Sequence, residues 1–325
     1  MEKWKIDVNV LIIFFNRSIT LEQVFTSVRE AKPRRLLLWQ DGPRANRPDD
    51  IEGIKKCRAI AENIDWDCEV YKSYHDKNMG CDPSTFYADK WAFSIVDKCI
   101  ILEDDQVPSQ SFYLYCKELL DKYEFDTRIS HINGHNFIKG FEDYPYDYLY
   151  CQCGTGAWAS WRRVADQWNQ DYSNLDFKYD IENIKKVKGK FAKEQIKNAQ
   201  RHRVHHYPFW ESVIGMNLLT NSMFAIVPKV NMVQNVGVTD GATHSLNNVK
   251  YLPKAIRYIF TCEKKDIEFP LKHPPFICLN YEYEKKRQKL LQPNFLVKLY
   301  RRMEIGGILF IHGEFKLLFR KLIKK

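Results

Sequence analysis

No stretch of this 325-residue sequence is apolar for long enough to cross a bilayer. The longest candidate, Val8 to Phe15, runs about eight residues after an Asp, whereas a spanning helix needs about 20. It reads as a buried strand. No secretory leader is visible either, so a cytoplasmic chain is expected. Cysteine is present but unorganised: nine residues, an odd number, with no CxxC pair. Cys151 and Cys153 are the only close pair, and that spacing makes a poor local disulfide. Reduced thiols in a reducing compartment follow. Internal repeats and low-complexity tracts are absent. The aromatics show no RNP-like interleaving, and this argues against a nucleic-acid-binding sheet despite the basic charge.

What is present reads as a globular protein. Hydrophobic residues make up 45% of the chain and charged residues 28%, which suits a packed core and not a disordered chain. The length allows one large α/β domain with an appendage. From Val8 to Asp105, strand and helix patterns alternate. Strands are expected at about 8–15, 35–39, 68–71 and 99–102. Leu21, Val24, Phe25 and Val28 mark a helix by their spacing, and further helices are expected over about 50–64 and 85–96. Such alternation predicts βαβ units on a mostly parallel sheet with helices on both faces. Ligands then bind beyond the carboxyl ends of the strands. The polar residues there are Asn16-Arg17, Gln40-Asp41-Gly42 and Glu103-Asp104-Asp105. Beyond Gln110 the pattern predicts helices at about 110–123, 157–168 and 209–219, part-helical structure over 176–206, and short strands at 130–133 and 224–228.

The triplet Glu103-Asp104-Asp105 follows directly on the apolar run Cys99 to Leu102. Three like charges at the end of a buried strand repel one another and are costly to desolvate without a cation. Oxygen-only ligands at this density suit Mn²⁺ or Mg²⁺, which bind through one or two carboxylates plus substrate phosphates. A nucleotide-diphosphate sugar supplies such phosphates.

Six blocks, in order, resemble the inverting GT-A glycosyltransferases related to N-acetylglucosaminyltransferase I and their bacterial relatives. Leu11 to Ser18 resembles that family's first strand, ending in the arginine that contacts the nucleotide, here Arg17. Trp39-Gln40-Asp41-Gly42 resembles the second strand with its uracil-binding aspartate, here Asp41. Ile101 to Pro108 followed by Phe112 resembles the acidic metal motif. In that motif the last acid, here Asp105, ligates the metal, while Glu103 and Asp104 face the ribose and donor sugar. Gly154-Thr155-Gly156-Ala157-Trp158 resembles the acceptor-side segment, and Pro208-Phe209-Trp210-Glu211 the segment carrying the base. Gly241 to Ser245, with Thr243, His244 and Ser245, resembles a loop closing over the donor diphosphate. Two departures stand out: Ser212 follows Glu211 where the family shows a second acid, and Asn16 precedes Arg17 where Asp is usual.

The resemblance implies a Rossmann-like GT-A catalytic domain over residues 1–250 that moves a sugar from a nucleotide-diphosphate donor, a UDP-sugar through Asp41, to an acceptor hydroxyl. Glu211 is expected to be the base, with Gly156, Trp158 and Trp210 on the acceptor side. The alternatives are a sugar nucleotidyltransferase, although the loop Asn16-Arg17-Ser18 lacks that class's glycines, and a non-enzymatic basic nucleic-acid-binding protein, which has no need of the Glu103-Asp104-Asp105 cluster. Residues 251–325 are expected to form a basic extension. Residues 294–325 hold eight Lys or Arg against two Glu, a net +6 of the chain's +9, interleaved with bulky apolar residues. Such a segment suits an anionic membrane surface, and a glycan or lipid-linked saccharide is the expected acceptor.

Overall fold

The computed structural model describes residues 2–152, 154–205, 210–237 and 249–315. Chain order begins β1 (Ile6–Phe14), α1 (Ser18–Ala31), β2 (Pro33–Gln40), α2 (Pro48–Ala61), β3 (Glu69–Tyr74), α3 (Cys81–Ile95) and β4 (Lys98–Glu103). These are the alternating elements the periodicity predicts. Leu21, Val24, Phe25 and Val28 of α1 are fully buried, and the helix stops where Lys32 turns left-handed at φ 44°. Val10, Leu11 and Ile12 of β1 are fully buried in succession, as expected of a strand covered on both faces.

The chain continues through β5 (Gln106–Pro108), α4 (Gln110–Lys122), β6 (Ile129–Asn133), β7 (Tyr148–Cys151), β8 (Trp158–Trp161) and the single turn α5 (Arg162–Ala165). It then forms α6 (Lys178–His205), α7 (Glu211–Thr220), β9 (Phe224–Pro228), β10 (Val233–Asn235), α8 (Lys254–Thr261), α9 (Tyr281–Leu291) and α10 (Phe295–Ile311). Eight strands form one sheet in the order β3-β2-β1-β4-β8-β6-β9-β7, and β5 pairs with β10 in a small second ladder. β3, β2, β1 and β4 run parallel, β8 runs against β4 and β6, and β7 runs against β9. The result is a mainly parallel α/β sheet flanked by helices.

The helix expected over 157–168 is instead a four-residue strand followed by a four-residue helical turn. Trp158 pairs with Ile101 on one side and Asn133 on the other, so β8 fills the gap between β4 and β6. Four residues are too few to separate a helical from an alternating period, and only the turn α5 remains helical. The long basic helix α6 is kinked at Gly189, where φ is +65°.

Beyond residue 250 the chain is stitched to the sheet domain. The Asn280 amide donates to the Tyr150 carbonyl at 2.9 Å, the Gln152 amide to Glu284 Oε1 at 2.5 Å, and the Ser111 amide to Asp266 Oδ1 at 2.9 Å. α9 buries Tyr283, whereas α10 buries only Leu309. Cys57, Cys68, Cys81, Cys99, Cys116, Cys262 and Cys278 carry free thiols. Among the described residues no helix is long and apolar enough to cross a membrane.

Candidate active site

The parallel strands deliver their polar ends to one edge of the sheet. Ile13 of β1 stands beside Glu103 of β4, and Phe14 beside Gln40 of β2. Arg17, just past β1, therefore meets the acidic triplet. Its guanidinium is paired with Asp104 and lies 3.0 Å from Asp105 Oδ2. Burial works against the Arg17 charge, but the two carboxylates outweigh it and hold the group firmly protonated. Asp104 also accepts the Phe15 amide at 3.3 Å. Asn16 donates to Asp50 Oδ1 at 2.7 Å, and Asp50 in turn holds Arg44 through two bonds of 2.7–2.8 Å. These contacts tie the loops after β1 and β2 together.

Asp41 is buried at the end of β2, and its carboxylate organises a loop. Oδ1 accepts the Gly42 amide at 2.8 Å and the Met79 amide at 2.9 Å. Oδ2 accepts Asn78 Nδ2 at 2.9 Å and the Gly80 amide at 3.1 Å. Burial raises its pKa, with the amides pulling the other way. Gly42 has no room for a side chain: a Cβ would sit 2.4 Å from the Lys77 amide nitrogen. Gly80, at φ +89°, turns the loop into α3.

Glu103 is pushed up to about 8, by burial first and then by the charges of Asp105, Glu211 and Asp104. Asp104 is pushed up to about 6, again by burial first, with Arg17 opposing. Asp89 of α3 lies beneath them. It is fully buried, both carboxylate oxygens are without a hydrogen-bond partner, and burial followed by the charges of Glu103 and Glu211 raises it well above the carboxylate range. Nothing in the sequence singles out Asp89; only its position one helix beneath the strand ends reveals it.

Glu211 reaches this cluster from the first turn of α7. Its carboxyl opens towards solvent but sits in a crowded cleft. That desolvation, with the charge of Asp82, raises its pKa. A network missed by the sequence reading positions it. Asp82 Oδ1 accepts the Trp210 amide at 2.6 Å, and Asp82 Oδ2 meets His202 Nε2 at 2.8 Å. His202 Nδ1 meets the Tyr172 hydroxyl at 2.6 Å, and that hydroxyl bonds Ser212. Ser212, standing where the family shows a second acid, is thus buried in the network and does not face the carboxylates. Asp82, Tyr172 and His202 are far apart in sequence, so no spacing signal joins them.

Two glycines close the site from behind. A Cβ on Gly156 would lie 2.3 Å from His135 Cδ2, so this glycine packs on a half-buried imidazole whose pKa is lowered to about 4 by desolvation. Gly156, His135, Asn133 and Gln106 line a cavity of about 310 Å³. Gly237 lies against Asp105: its Cβ would fall 1.9 Å from Oδ2, and the Val236 amide donates to the Asp105 carbonyl at 2.8 Å. Gly237→Ala is expected to displace the Asp105 carboxylate and lower activity about 10²-fold or more, the scale on which misplacing a reacting group by about 1 Å acts. A melting temperature close to that of the parent would accompany the loss; near-parental activity would show that Asp105 tolerates the shift.

Trp158 and Trp210 are not open faces. Trp158 is 2% exposed and packs edge-on against His131 and obliquely on Trp168, a core position. Trp210 is buried at the start of α7, where its amide serves Asp82. Thr243, His244, Ser245, Pro208 and Phe209 lie outside the described residues.

Among the described residues no group of three His, Cys, Asp or Glu side chains is arranged to hold a metal ion. A cation carried by one carboxylate and substrate phosphates needs no such cage. The buried, partnerless oxygens of Asp89 and the raised Glu103 show that negative charge here lacks compensation, and the donor set is all oxygen. These residues fit Mn²⁺ or Mg²⁺.

The same excess predicts a pH dependence. A carboxyl with a raised folded-state pKa keeps its proton where the unfolded chain has lost it, so stability falls as pH climbs towards the folded value. Each retained proton contributes a slope of about 1.4 kcal/mol per pH unit. His135, depressed to about 4, and Asp104, near 6, have largely titrated by pH 6.5. Between pH 6.5 and 8 the slope therefore comes from Glu103 together with the fully buried Asp89. The metal-free protein should melt several degrees lower at pH 8 than at pH 6.5, and Glu103→Gln should make that fall shallower while leaving the share of Asp89. A melting temperature that rises over this interval in the parent would contradict the assignment.

No protein-family model matches the chain, and no curated protein matches it. Among solved structures, UDP-glucose pyrophosphorylase complexed with UDP-glucose is similar at 9% identity. The match spans 50% of this chain and 71% of that one, with a TM-score of 0.24. So loose a likeness carries no argument about chemistry. None of these findings names the N-acetylglucosaminyltransferase I family that the sequence resembles.

Proposed function

We propose that the chain is a nucleotide-sugar enzyme and, within that class, a metal-dependent glycosyltransferase acting on an acceptor hydroxyl, with inversion. The observation that carries this reading is the convergence of Glu103, Asp104 and Asp105, at the end of a parallel strand, with Glu211 from a helix more than one hundred residues later in the chain. Transfer needs a base for the acceptor hydroxyl and charge neutralisation for the departing diphosphate. Glu211 is the base. Its raised pKa brings it nearer to neutrality, where a carboxylate accepts a proton more effectively. The acceptor oxygen loses its proton to Glu211 and bonds to the anomeric carbon, while the bond from that carbon to the phosphate oxygen breaks with its electron pair. Asp105 would hold the divalent cation, which supplies Lewis-acid stabilisation of the leaving phosphates. Arg17 keeps Asp104 and Asp105 in place and offers positive charge to the nucleotide. Glu103 and Asp104 face the donor, and Asp41 sets the loop 78–80 at its edge.

The second reading is sugar nucleotidyl transfer. The strand-end carboxylates and Arg17 would serve that chemistry equally, and Glu211 is what favours glycosyl transfer, because nucleotidyl transfer needs no base for an acceptor sugar. The deciding experiment incubates the protein with UDP-sugars and Mn²⁺. Glycosyl transfer or slow donor hydrolysis releases UDP; a nucleotidyltransferase instead forms UTP when pyrophosphate is added. Donor binding at 100 times its Kd should add about 2.7 kcal/mol of stability, and a complete absence of stabilisation by any nucleotide sugar would defeat both readings.

The acceptor is proposed to be a glycan or lipid-linked saccharide, met at an anionic membrane surface by α10. That helix exposes Phe295, Leu296, Tyr300 and Met303. Sedimentation with anionic vesicles at low salt, reversed at high salt, would support this placement; salt-independent absence from the pellet would remove it.

A further inference from the structure

A second, larger cavity lies away from the carboxylates. It is an open cleft of about 570 Å³ between α8, α9, α10 and the segment Phe137 to Lys139. Phe137, Ile138, Leu290 and Val297 give it an apolar lining, and Lys139, Lys254, Lys286 and Arg301 also line it. The one carboxylate in the lining, Glu304, already accepts the Lys254 amide at 2.9 Å. Lys286 is paired with Glu282 at 2.9 Å, and Arg301 donates to the Leu290 carbonyl at 2.9 Å. Lys139 sits 4.0 Å over the Tyr258 ring, and Lys254 makes no ion pair among the described residues. Four cations thus surround an apolar cavity with a single acid, itself engaged.

This combination selects among occupants. The chain's own last ten residues carry five Lys or Arg and no acid, so they share the sign of the cavity's charge. A second copy, at net +9, is repelled likewise. A neutral apolar ligand leaves Lys139, Lys254 and Arg301, which form no ion pair among the described residues, with only Glu304 beside them. An amphiphile with a hydrocarbon chain and a phosphate headgroup satisfies both features.

The cavity also has a direction. Phe137 is shared with the smaller cavity, which carries Gly156, Asn133 and Gln106, the residue next to Asp105. A headgroup substituent passing Phe137 would enter the space bordering the acidic strand end.

We propose that the cavity between α8, α9 and α10 binds a membrane-derived lipid phosphate, and that the acceptor is a saccharide carried on such a lipid. The second clause rests on the glycosyltransferase reading; the first stands without it.

The test uses the full chain and dodecyl phosphate below its micelle concentration, with dodecanol and inorganic phosphate as controls, titrated calorimetrically. Dodecyl phosphate should bind at least about tenfold more tightly than either control. Ala255→Trp, which fills the cavity from α8, and Lys139→Glu, which reverses one of its charges, should each weaken that binding about tenfold or more. Slow UDP-sugar hydrolysis, a reaction that does not use this cavity, should stay unchanged in both. Two substitutions on different elements guard against one variant failing to fold. Equal binding of inorganic phosphate, or unaltered dodecyl phosphate binding in both variants, would overturn the cavity assignment while leaving the transferase reading intact. Lipid phosphate binding by a protein that neither binds nor hydrolyses nucleotide sugars would do the reverse.

Discussion

Asp105→Ala is expected to abolish Mn²⁺-dependent binding of a nucleotide sugar while leaving the melting temperature near that of the parent. The residue sits on the turn after β4, half-buried, with its carboxylate held between the Arg17 guanidinium at 3.0 Å and the Gly237 backbone. Removing it takes nothing from the hydrophobic core. It takes away the carboxylate assigned to the cation and leaves Arg17 with Asp104 alone. Loss of a group that neutralises charge on a departing phosphate costs about 10²–10³ in turnover, and loss of the cation with it should cost more. Metal titration followed by donor titration separates the two effects. Full activity of this variant, or of the parent in EDTA, would end the metal assignment.

Glu211→Gln is expected to keep donor affinity and lower kcat by about 10² or more. Glutamine preserves the shape of the side chain and the first turn of α7 but accepts no proton. The network behind it, from Asp82 through His202 and Tyr172 to Ser212, should be untouched, because it grips the Trp210 amide and the buried face of α7 and not the Glu211 carboxyl. The raised pKa adds a signature: kcat should rise with pH through a value above the ordinary carboxylate range, and that limb should vanish in the variant. If Glu211→Gln retains near-parental activity, the base is another group. Asp82→Asn, which disturbs the positioning network, gives the contrast, since a misplaced Glu211 lowers kcat while keeping the pH limb.

The elements legible in the sequence are those whose signal is local. β1 to β4 and α1 to α3 appear through apolar periodicity, and the acids at the end of β4 through their adjacency to a buried strand. β8 was illegible for the opposite reason. Trp158 to Trp161 form a strand because β4 and β6 leave an unpaired edge on either side, and four residues carry no period that says so. The pair β5 and β10 is shorter still, with partners more than one hundred residues apart. Trp158 reads as a surface for a sugar in a glycine-rich segment, yet the sheet closes over it.

For the candidate site the division is similar. The sequence by itself determined that this is an α/β chain with carboxylates at the mouth of a parallel sheet, because buried strands and the charges that end them are written contiguously. It also determined where the basic, amphipathic character concentrates. The tertiary structure decided that Arg17 faces Asp104 and Asp105, that Asp89 lies beneath them without a partner, and that Asp82 and His202 brace the helix carrying Glu211. Each of these is a contact between residues from different elements. Its existence depends on strand order and helix placement, and both are set by burying the whole apolar surface at once and not by any local stretch of sequence.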